Sequence, residues 1–439
     1  MAQFSPARFI LVSIIAAIIV GTILLSVPWS QKVPIPFVDT LFTATSALCT
    51  CGLLTIPLSN FTPFGHCMLL LLIQIGGLGL ITLTLFLMSC FIRFGFATQL
   101  MAGQLLELES WKNIRNILFF IVLVTLCVES LGALLIFGSI YQDYALSKAL
   151  FLAVFHAVSS FCDAGLSLFP QGFITHKDNF MLLLTVSCIM TFSGLGFITW
   201  YDIMQCIKTY KQRKKNHLSL HSKIVISMAF FLVSSSALLY WILERHNTLL
   251  SLSMPLGLIN ALFNGIALRG TGFTTIPIDQ LQLATLLLIM IMAFIGSSPG
   301  STGSGVKVTT FAILIATIKS AIKGQTIVTI MGRTIAKDQT YKAIAIIVLG
   351  CSWILITTFC LLITEQGMSF LDILFESVSS FATLGLSTGI TPYLSSTGKF
   401  FIILSMIIGR IGALGLVLAF WKKHENPEFS YPEERIILG

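Results

Sequence analysis

Gly52, Gly165, Gly272 and Gly385 stand 113, 107 and 113 residues apart, so four glycines divide the 439-residue chain almost evenly. Each sits in a short segment of its own: CTCGL, CDAGL, GTGF and TLGL. Phe42, Phe155 and Phe375 precede their glycine by ten residues and Phe263 by nine, with small or hydroxyl residues such as Ser46, Ser159, Ser160, Ser379 and Ser380 in between. Glycine reaches dihedrals that strain other residues, so a turn built on it can aim consecutive carbonyl oxygens one way. Four such turns around one axis would offer rings of carbonyl oxygen, a ligand set that replaces the water shell of a cation. The candidate ligands are the carbonyls of Thr50, Cys51 and Gly52, of Asp163, Ala164 and Gly165, of Gly270, Thr271 and Gly272, and of Thr383, Leu384 and Gly385. Asp163 brings the one carboxylate of these turns. Ca2+ sites usually include several carboxylates and Mg2+ dehydrates reluctantly, so the set suits a dehydrated monovalent cation.

A second glycine signal follows each turn. Gly79, Gly196, Gly300 and Gly412 lie 27, 31, 28 and 27 residues beyond the first glycine. The third signal is the densest, with Gly296, Gly300, Gly303, Gly305 and Pro299 inside ten residues. Such a stretch should not persist as regular helix. It reads as a mobile loop beneath the turns, whose changes of order open or block passage. Its Gly300-x4-Gly305 spacing imitates a phosphate-binding loop, but Val306 separates the glycine from Lys307 and no Ser or Thr follows the lysine.

Arg269, Lys307 and Arg410 fall at membrane depth, where charge is costly and marks function. Arg410 follows Gly385 by 25 residues, which puts it below the turns and facing an aqueous cavity. There it either forms a gate or pairs with a carboxylate that holds the helices together. Arg269, three residues before Gly272, would buttress that turn through backbone carbonyls or Glu376 of another quarter, or stand as a vestibule charge. Glu129 reads as structural, held by a Ser, a backbone group or a cation. Asp39 and Asp372, near the starts of short apolar runs, read as N-terminal caps.

The elements that must position these residues follow from composition. The chain is 56% hydrophobic and 10% charged, against about 25% charged in soluble domains, so it is an integral membrane protein. Runs long enough to span lie near 9–28, 65–92, 115–138, 179–207, 224–243, 281–321, 341–364 and 399–421. Four shorter runs, near 37–49, 148–162, 256–268 and 370–382, are too short to cross. The alternating ten-residue segments of a β-barrel do not occur. The fold expected is all-α: one polytopic domain over 1–439 with eight transmembrane helices in four pseudo-repeats, approximately 1–94, 95–207, 208–321 and 322–439. Each repeat reads as span, short re-entrant helix, glycine turn and glycine-interrupted span. Irregular backbone at membrane depth is tolerated only where it lines a water-filled cavity or is buried in protein, so the four turns should meet on a central axis. Small-residue helix packing accounts for part of the second glycine signal.

The net charge of +8 does not indicate nucleic acid, because the basic residues cluster between spans. With both termini in the cytoplasm, 18 of the 26 Lys and Arg lie on that side, five lie opposite and three lie at membrane depth. That asymmetry fits the positive-inside rule. The basic loop from Lys208 to Lys223 is a topology signal that also suits anionic lipid head groups or a cytoplasmic partner. Most of the ten cysteines lie within spans, and Cys49-x-Cys51 has no nearby histidine with which to hold a metal. An intramembrane hydrolase would need a nucleophile such as Ser304 next to a base such as His156, and no fixed spacing links them. Carriers with inverted repeats have two related halves, whereas the order here recurs four times in parallel.

In these residues the chain resembles the Trk/Ktr superfamily of potassium transporters, and within it the Ktr-type membrane subunit. The likeness covers nearly the whole chain: SPAR at the start, DTLFTATSALCTCGL (39–53), IGSSPGSTGSGVKVTTF (295–311), FESVSSFATLGLSTGITP (375–392), IIGRIGALGL (407–416) and YPEERIILG. The resemblance implies K+ uptake through a filter at the four glycines, in a multi-pass protein of the bacterial inner cell membrane. It also implies a homodimer with one pore per chain, a cytoplasmic nucleotide-binding regulatory ring subunit, and Na+ as an activator in many such systems. No covalently bound cofactor is implied, and K+ enters as the transported ion. The gate would comprise Gly296, Pro299, Gly300, Gly303, Gly305, Lys307 and Arg410, with Arg269 and Glu376 supporting the filter. Glycine in all four turns is similar to the potassium-selective members, while Cys49, Cys51 and Cys162 depart from their Thr, Val and Asn types. A Na+ or other monovalent cation permease of the same architecture is the alternative.

Overall fold

The computed structural model describes residues 6–79, 114–211, 217–412 and Gly415. The boundary between the first two repeats, the 80–92 end of one expected span and, Gly415 aside, the 413–421 end of another, part of the basic loop (212–216) and the YPEERIILG segment lie outside the described residues. Among the described residues one order recurs four times. A long helix comes first: α1 (Pro6–Ser26), α4 (Ile114–Ile140), α8 (Leu220–Glu244) and α12 (Lys337–Thr364). A short helix follows: α2 (Phe37–Leu48), α5 (Leu146–Phe161), α9 (Met254–Ala267) and α13 (Phe370–Ala382). After the glycine turn comes a third helix: α3 (Pro63–Leu78), α6 (Phe180–Gly194), α10 (Leu283–Ile295) and α14 (Ser396–Ile411).

The long helices α4, α8 and α12 are apolar enough to cross a membrane. The short ones, at 12 to 16 residues, rise about 18–24 Å at 1.5 Å per residue, short of the ~30 Å hydrocarbon core. They are also polar on the side turned inward, where Thr43, Thr45, Ser46, His156, Ser159, Asn264, Glu376 and Ser379 are all buried. Such residues cannot face lipid, so burial within protein decides the orientation of these helices.

Every third helix stops at a glycine of positive φ or just before one: Gly79 at 78°, Gly196 at 82°, Gly296 at 67° and Gly412 at 85°. These are the positions of the second glycine signal, where the last span of each repeat is expected to be interrupted. At Gly196 the consequence is visible: α7 (Phe197–Lys211) leaves α6 at 89°. The Phe197 amide, freed from the helical ladder, donates to Gly300 O at 2.8 Å, so the loop beneath the third turn holds the corner. α11 (Val308–Ile322) resumes after the break beyond α10. A two-residue hairpin pairing Thr329 with Thr334 and Ile330 with Arg333 precedes α12, a small departure from an all-helical chain.

The end of each long helix, or the residues just beyond it, clasps the start of the third helix of its own repeat. Thr62 donates to Trp29 O at 2.5 Å and caps α3. Asn179 caps α6 and donates to Ser139 O at 3.0 Å. Glu244 accepts from the Gln282 amide at 3.0 Å and Thr285 Oγ1 at 2.5 Å. Glu365 accepts from the Ser395 amide at 3.1 Å and hydroxyl at 2.5 Å. Each clasp satisfies amides or hydroxyls at a helix start that the helix itself leaves without a partner.

Between repeats the packing is cyclic. The third helix of one repeat packs on the short helix of the next: α3 on α5, α6 on α9, α10 on α13, and α14 back on α2. The last of these seams is apolar, with Phe42, Cys49, Cys51 and Leu53 clustered with Leu361, Ile373, Ile402 and Met406. It also carries an ion pair, Lys399 Nζ to Asp39 Oδ1 at 2.6 Å, with both side chains little exposed. Asp39 is thus a cross-seam partner, and the N-cap of α2 is Pro36, contrary to the capping expected of it. Asp372 does sit in a cap: its amide and its carboxylate both bond Ser369, the N-cap of α13. Breaking a buried pair costs about 3 kcal/mol. Lys399→Met should therefore lower the thermal unfolding temperature in detergent, and adding Asp39→Asn should recover most of the loss. A single variant as stable as the parent would show that the apolar seam alone closes the ring.

Candidate functional site

The four turns meet edge to edge. A Cβ built on Gly52 would lie 2.7 Å from Ala164 O and 3.3 Å from Gly165 Cα. One on Gly165 would lie 2.5 Å from Thr271 O and 3.1 Å from Gly272 Cα. One on Gly272 would strike Leu384 O and Gly385, and one on Gly385 would strike Cys51 O and Gly52. Each glycine thus abuts the next, and the fourth returns to the first. Glycine is required here twice over, by this approach and by φ values of 96°, 65°, 66° and 86°.

Two residues before each glycine the chain enters positive φ again: Thr50 at 52°, Asp163 at 53°, Gly270 at 137° and Thr383 at 49°. Amides of the turns point back into the short helices, with Cys51 N donating to Ser46 O at 2.8 Å, Ala164 N to Ser159 O at 2.9 Å and Leu384 N to Ser379 O at 2.8 Å. Among the described residues no hydrogen bond reaches the carbonyl oxygens of the twelve turn residues named from the sequence. They form an uncommitted set of oxygens at a common centre, which buried carbonyls away from water rarely do.

Asp163 contributes no carboxylate to that centre. Its Oδ1 accepts from Ser193 Oγ at 3.2 Å and its Oδ2 from Thr302 Oγ1 at 2.9 Å. Thr302 belongs to the glycine loop, and so does the main contact of Arg410. The Arg410 Nη1 donates to Thr302 O at 2.6 Å, to Thr50 Oγ1 at 3.0 Å and to Ser304 Oγ at 3.3 Å, and its Nη2 donates to Gly76 O. Arg410 therefore ties the loop to the first turn and Asp163 ties it to the second.

The loop closes on itself through Val306 N to Phe294 O at 3.1 Å and Lys307 N to Ile295 O at 3.0 Å. Lys307 Nζ reaches Gly303 O at 2.5 Å across Gly305, and Pro299 O faces Gly196. A cavity of about 160 Å3 lies under the loop, lined by Gly79, Phe197, Gly300, Ser301 and Arg410. On the other side a cavity of about 910 Å3 lined by Leu54, His66, Lys148 and Phe151 reaches Gly165 and Ser167. Outside the spans, burial beside Phe169 holds the His176 imidazole below its ordinary range, with Asp143 opposing the shift.

Other sequence-level pairings resolve differently. Glu376 does not meet Arg269; its Oε1 accepts from Ser387 and, at 2.9 Å, from Thr391 Oγ1. Arg269 Nε and Nη2 are buried without a hydrogen-bond partner among the described residues. Glu129 is held by Gln74 Nε2 at 3.1 Å. His156 and Ser304 are apart in bonding, since His156 contacts Leu152 O and Ser167 Oγ while Ser304 takes Arg410. That removes the serine–histidine pairing a hydrolase would need. Thr302, Ser193 and Gly76 were not legible as partners, because their contacts with Asp163 and Arg410 span large stretches of chain.

The family described as a cation transport protein, TrkH, matches residues 4–431. The potassium/sodium uptake protein NtpJ of Enterococcus hirae is 32% identical, over 100% of this chain and 98% of its own length. The Ktr system potassium uptake protein B of Bacillus subtilis is 31% identical, over 100% of this chain and 97% of its own. The crystal structure of the potassium transporter TrkH from Vibrio parahaemolyticus superposes with a TM-score of 0.72 at 19% identity, covering 93% of this chain and 84% of that one, which establishes a shared fold. The chain belongs to the TrkH family of cation transport proteins, all-helical multi-pass membrane proteins that are transporters and not enzymes.

Proposed function

We propose that this protein takes up K+ across the cell membrane through the ring formed by Gly52, Gly165, Gly272 and Gly385. The observation that carries the reading is the closed contact of those four turns around carbonyl oxygens that no donor occupies. A dehydrated monovalent cation is the natural guest of neutral carbonyls, and the one carboxylate of the turns is engaged elsewhere, by Ser193 and Thr302. The C-terminal ends of α2, α5, α9 and α13 lead into the turns, where the helix dipole favours positive charge. The relatives' names supply the ion: potassium for the Ktr proteins, potassium and sodium for NtpJ. The Gly296–Gly305 loop, Lys307 and Arg410 act as the gate below the ring, and Arg269 and Glu376 as its support.

Four repeats near 1–94, 95–207, 208–321 and 322–439 form the pore of a single chain. Both termini are cytoplasmic, as the distribution of basic residues supports. The name of the Ktr relatives speaks of a system, in keeping with a homodimer that works with a cytoplasmic nucleotide-binding ring subunit and is activated by Na+. The test is 86Rb+ uptake into proteoliposomes holding the purified subunit, with K+ and Na+ as competitors. Block by K+ with weak block by Na+ is the expected result. Equal block would keep the pore and turn the assignment to a general monovalent cation permease. In the same assay Thr302→Val, which loses the hydroxyl offered to Asp163 but keeps the carbonyl that holds Arg410, should raise uptake several-fold at an unchanged K+ to Na+ ratio. A shifted ratio with unchanged uptake would make Thr302 part of the filter and not of the gate.

A further inference from the structure

Behind three of the four turns stands a side-chain strut of fixed span. His156 Nε2 meets Ser167 Oγ at 2.8 Å, Asn264 Nδ2 donates to Thr275 Oγ1 at 2.8 Å, and Ser387 Oγ donates to Glu376 Oε1. In each case the two residues are eleven apart, the first directly after the Phe of the short helix and the second two or three residues past the ring glycine. His156 and Asn264 are anchored alike at their other end, to the carbonyl four residues earlier: Leu152 O at 2.7 Å and Asn260 O at 2.9 Å. Three different side chains thus fulfil one geometric duty. His156 is also stacked on Phe169, with centroids 3.9 Å apart, which fixes the plane of its ring.

Among the described residues the first repeat has no such strut. Its corresponding residue, Thr43, donates to Asp39 O within its own helix at 2.8 Å, and eleven residues on stands Leu54. The adjacent Thr55 Oγ1 is buried without a partner among the described residues. The first turn is held instead from its own helix, where the Gly52 amide donates to Ser46 Oγ at 3.0 Å and the Cys51 amide to Ser46 O at 2.8 Å, and Arg410 reaches it through Thr50 Oγ1.

We infer that His156, Asn264 and Glu376 are positioning residues for ion discrimination, bracing the second, third and fourth turns from behind, while the first turn relies on its bonds to Ser46. The inference rests on the filter reading above. Carbonyl dipoles discriminate between ions only while their distance from the centre is maintained. A buried hydroxyl joined to a helix-anchored amide or ring resists the collapse a smaller ion would induce, because losing the bond strands a polar group.

Thr275 and Asn264 suit the test, since both are almost fully buried and have isosteric apolar counterparts. Thr275→Val, Asn264→Leu and the conservative Thr275→Ser would be purified, checked for folding by size exclusion and circular dichroism, and assayed for 86Rb+ uptake with K+ and Na+ competition. Gly272→Ser, in the same turn, runs beside them. Thr275→Val and Asn264→Leu are expected to lower the ratio of half-blocking Na+ to half-blocking K+ at least threefold, with Thr275→Ser near the parent. Should Asn264→Leu misfold, the contrast between Val and Ser at 275 decides alone. A parental ratio in Thr275→Val together with a shifted ratio in Gly272→Ser would overturn the strut and leave the filter standing. Parental ratios in both would overturn the filter reading and the strut with it.

Discussion

Gly385→Ser should collapse the preference for K+ over Na+ by at least tenfold, equivalent to about 1.4 kcal/mol of lost discrimination. The added Cβ would strike Cys51 O and come within 3.0 Å of Gly52 Cα, while the backbone keeps a φ of 86° that serine adopts only under strain. Relief requires the fourth turn to move away from the first, and these carry neighbouring oxygens of the ring. The overall packing of α13 and α14 does not depend on that atom, so expression and oligomeric state should stay near the parent. Competition of Na+ with 86Rb+ uptake reads the effect directly. An unaltered ratio in a folded Gly385→Ser protein would falsify the assignment of the ring as the filter.

Arg410→Gln should have the opposite character, raising uptake at least tenfold while leaving the ion ratio within about twofold of the parent. The guanidinium joins four residues of three elements: Thr302 and Ser304 of the loop, Thr50 of the first turn and Gly76 of α3. Hydrogen bonds from a charged donor contribute about 1.5–3 kcal/mol each. Glutamine retains at most two donors, and a net loss of about 1.4 kcal/mol already multiplies a minor open population tenfold. The comparison is made on the purified subunit at equal reconstituted density. Uptake at or below the parental rate in a folded variant would mean that Arg410 holds the bundle together and does not close it.

Much of this architecture was legible because its constraints are local. A turn that must pass within van der Waals contact of its neighbour admits only glycine, so four glycines at near-equal spacing announce four equivalent turns. The short apolar runs found the re-entrant helices to within two residues at either end, because length against bilayer thickness is a property of one segment. Direction was not legible. Hydropathy counts residues along 179–207 and is blind to the 89° corner at Gly196, which depends on an amide bonding a loop a hundred residues away.

The partners of Arg410 and Asp163 were hidden for the same reason, since Thr302 lies 108 and 139 residues from them. Of the partners considered for Arg269, Glu376 is taken for a local cause: hydroxyls eleven and fifteen residues downstream of Glu376 bond it instead. That eleven-residue interval was present in the sequence all along, but a His–Ser, an Asn–Thr and a Glu–Ser pair share no residue type that would mark them as one motif.

The seam between α14 and α2 has a consequence for how the protein is made. Asp39 and Lys399 are separated by 360 residues, and synthesis at about 5–20 residues per second puts roughly 20–70 s between their emergence from the ribosome. Through that interval the first short helix stands with its carboxylate and its polar inner face uncovered, beside a ring three-quarters built. The nascent chain must therefore be sheltered by the insertion machinery until the final helix arrives. A chain that stopped before Ser396 would lack α14 and with it the seam that joins the fourth repeat to the first.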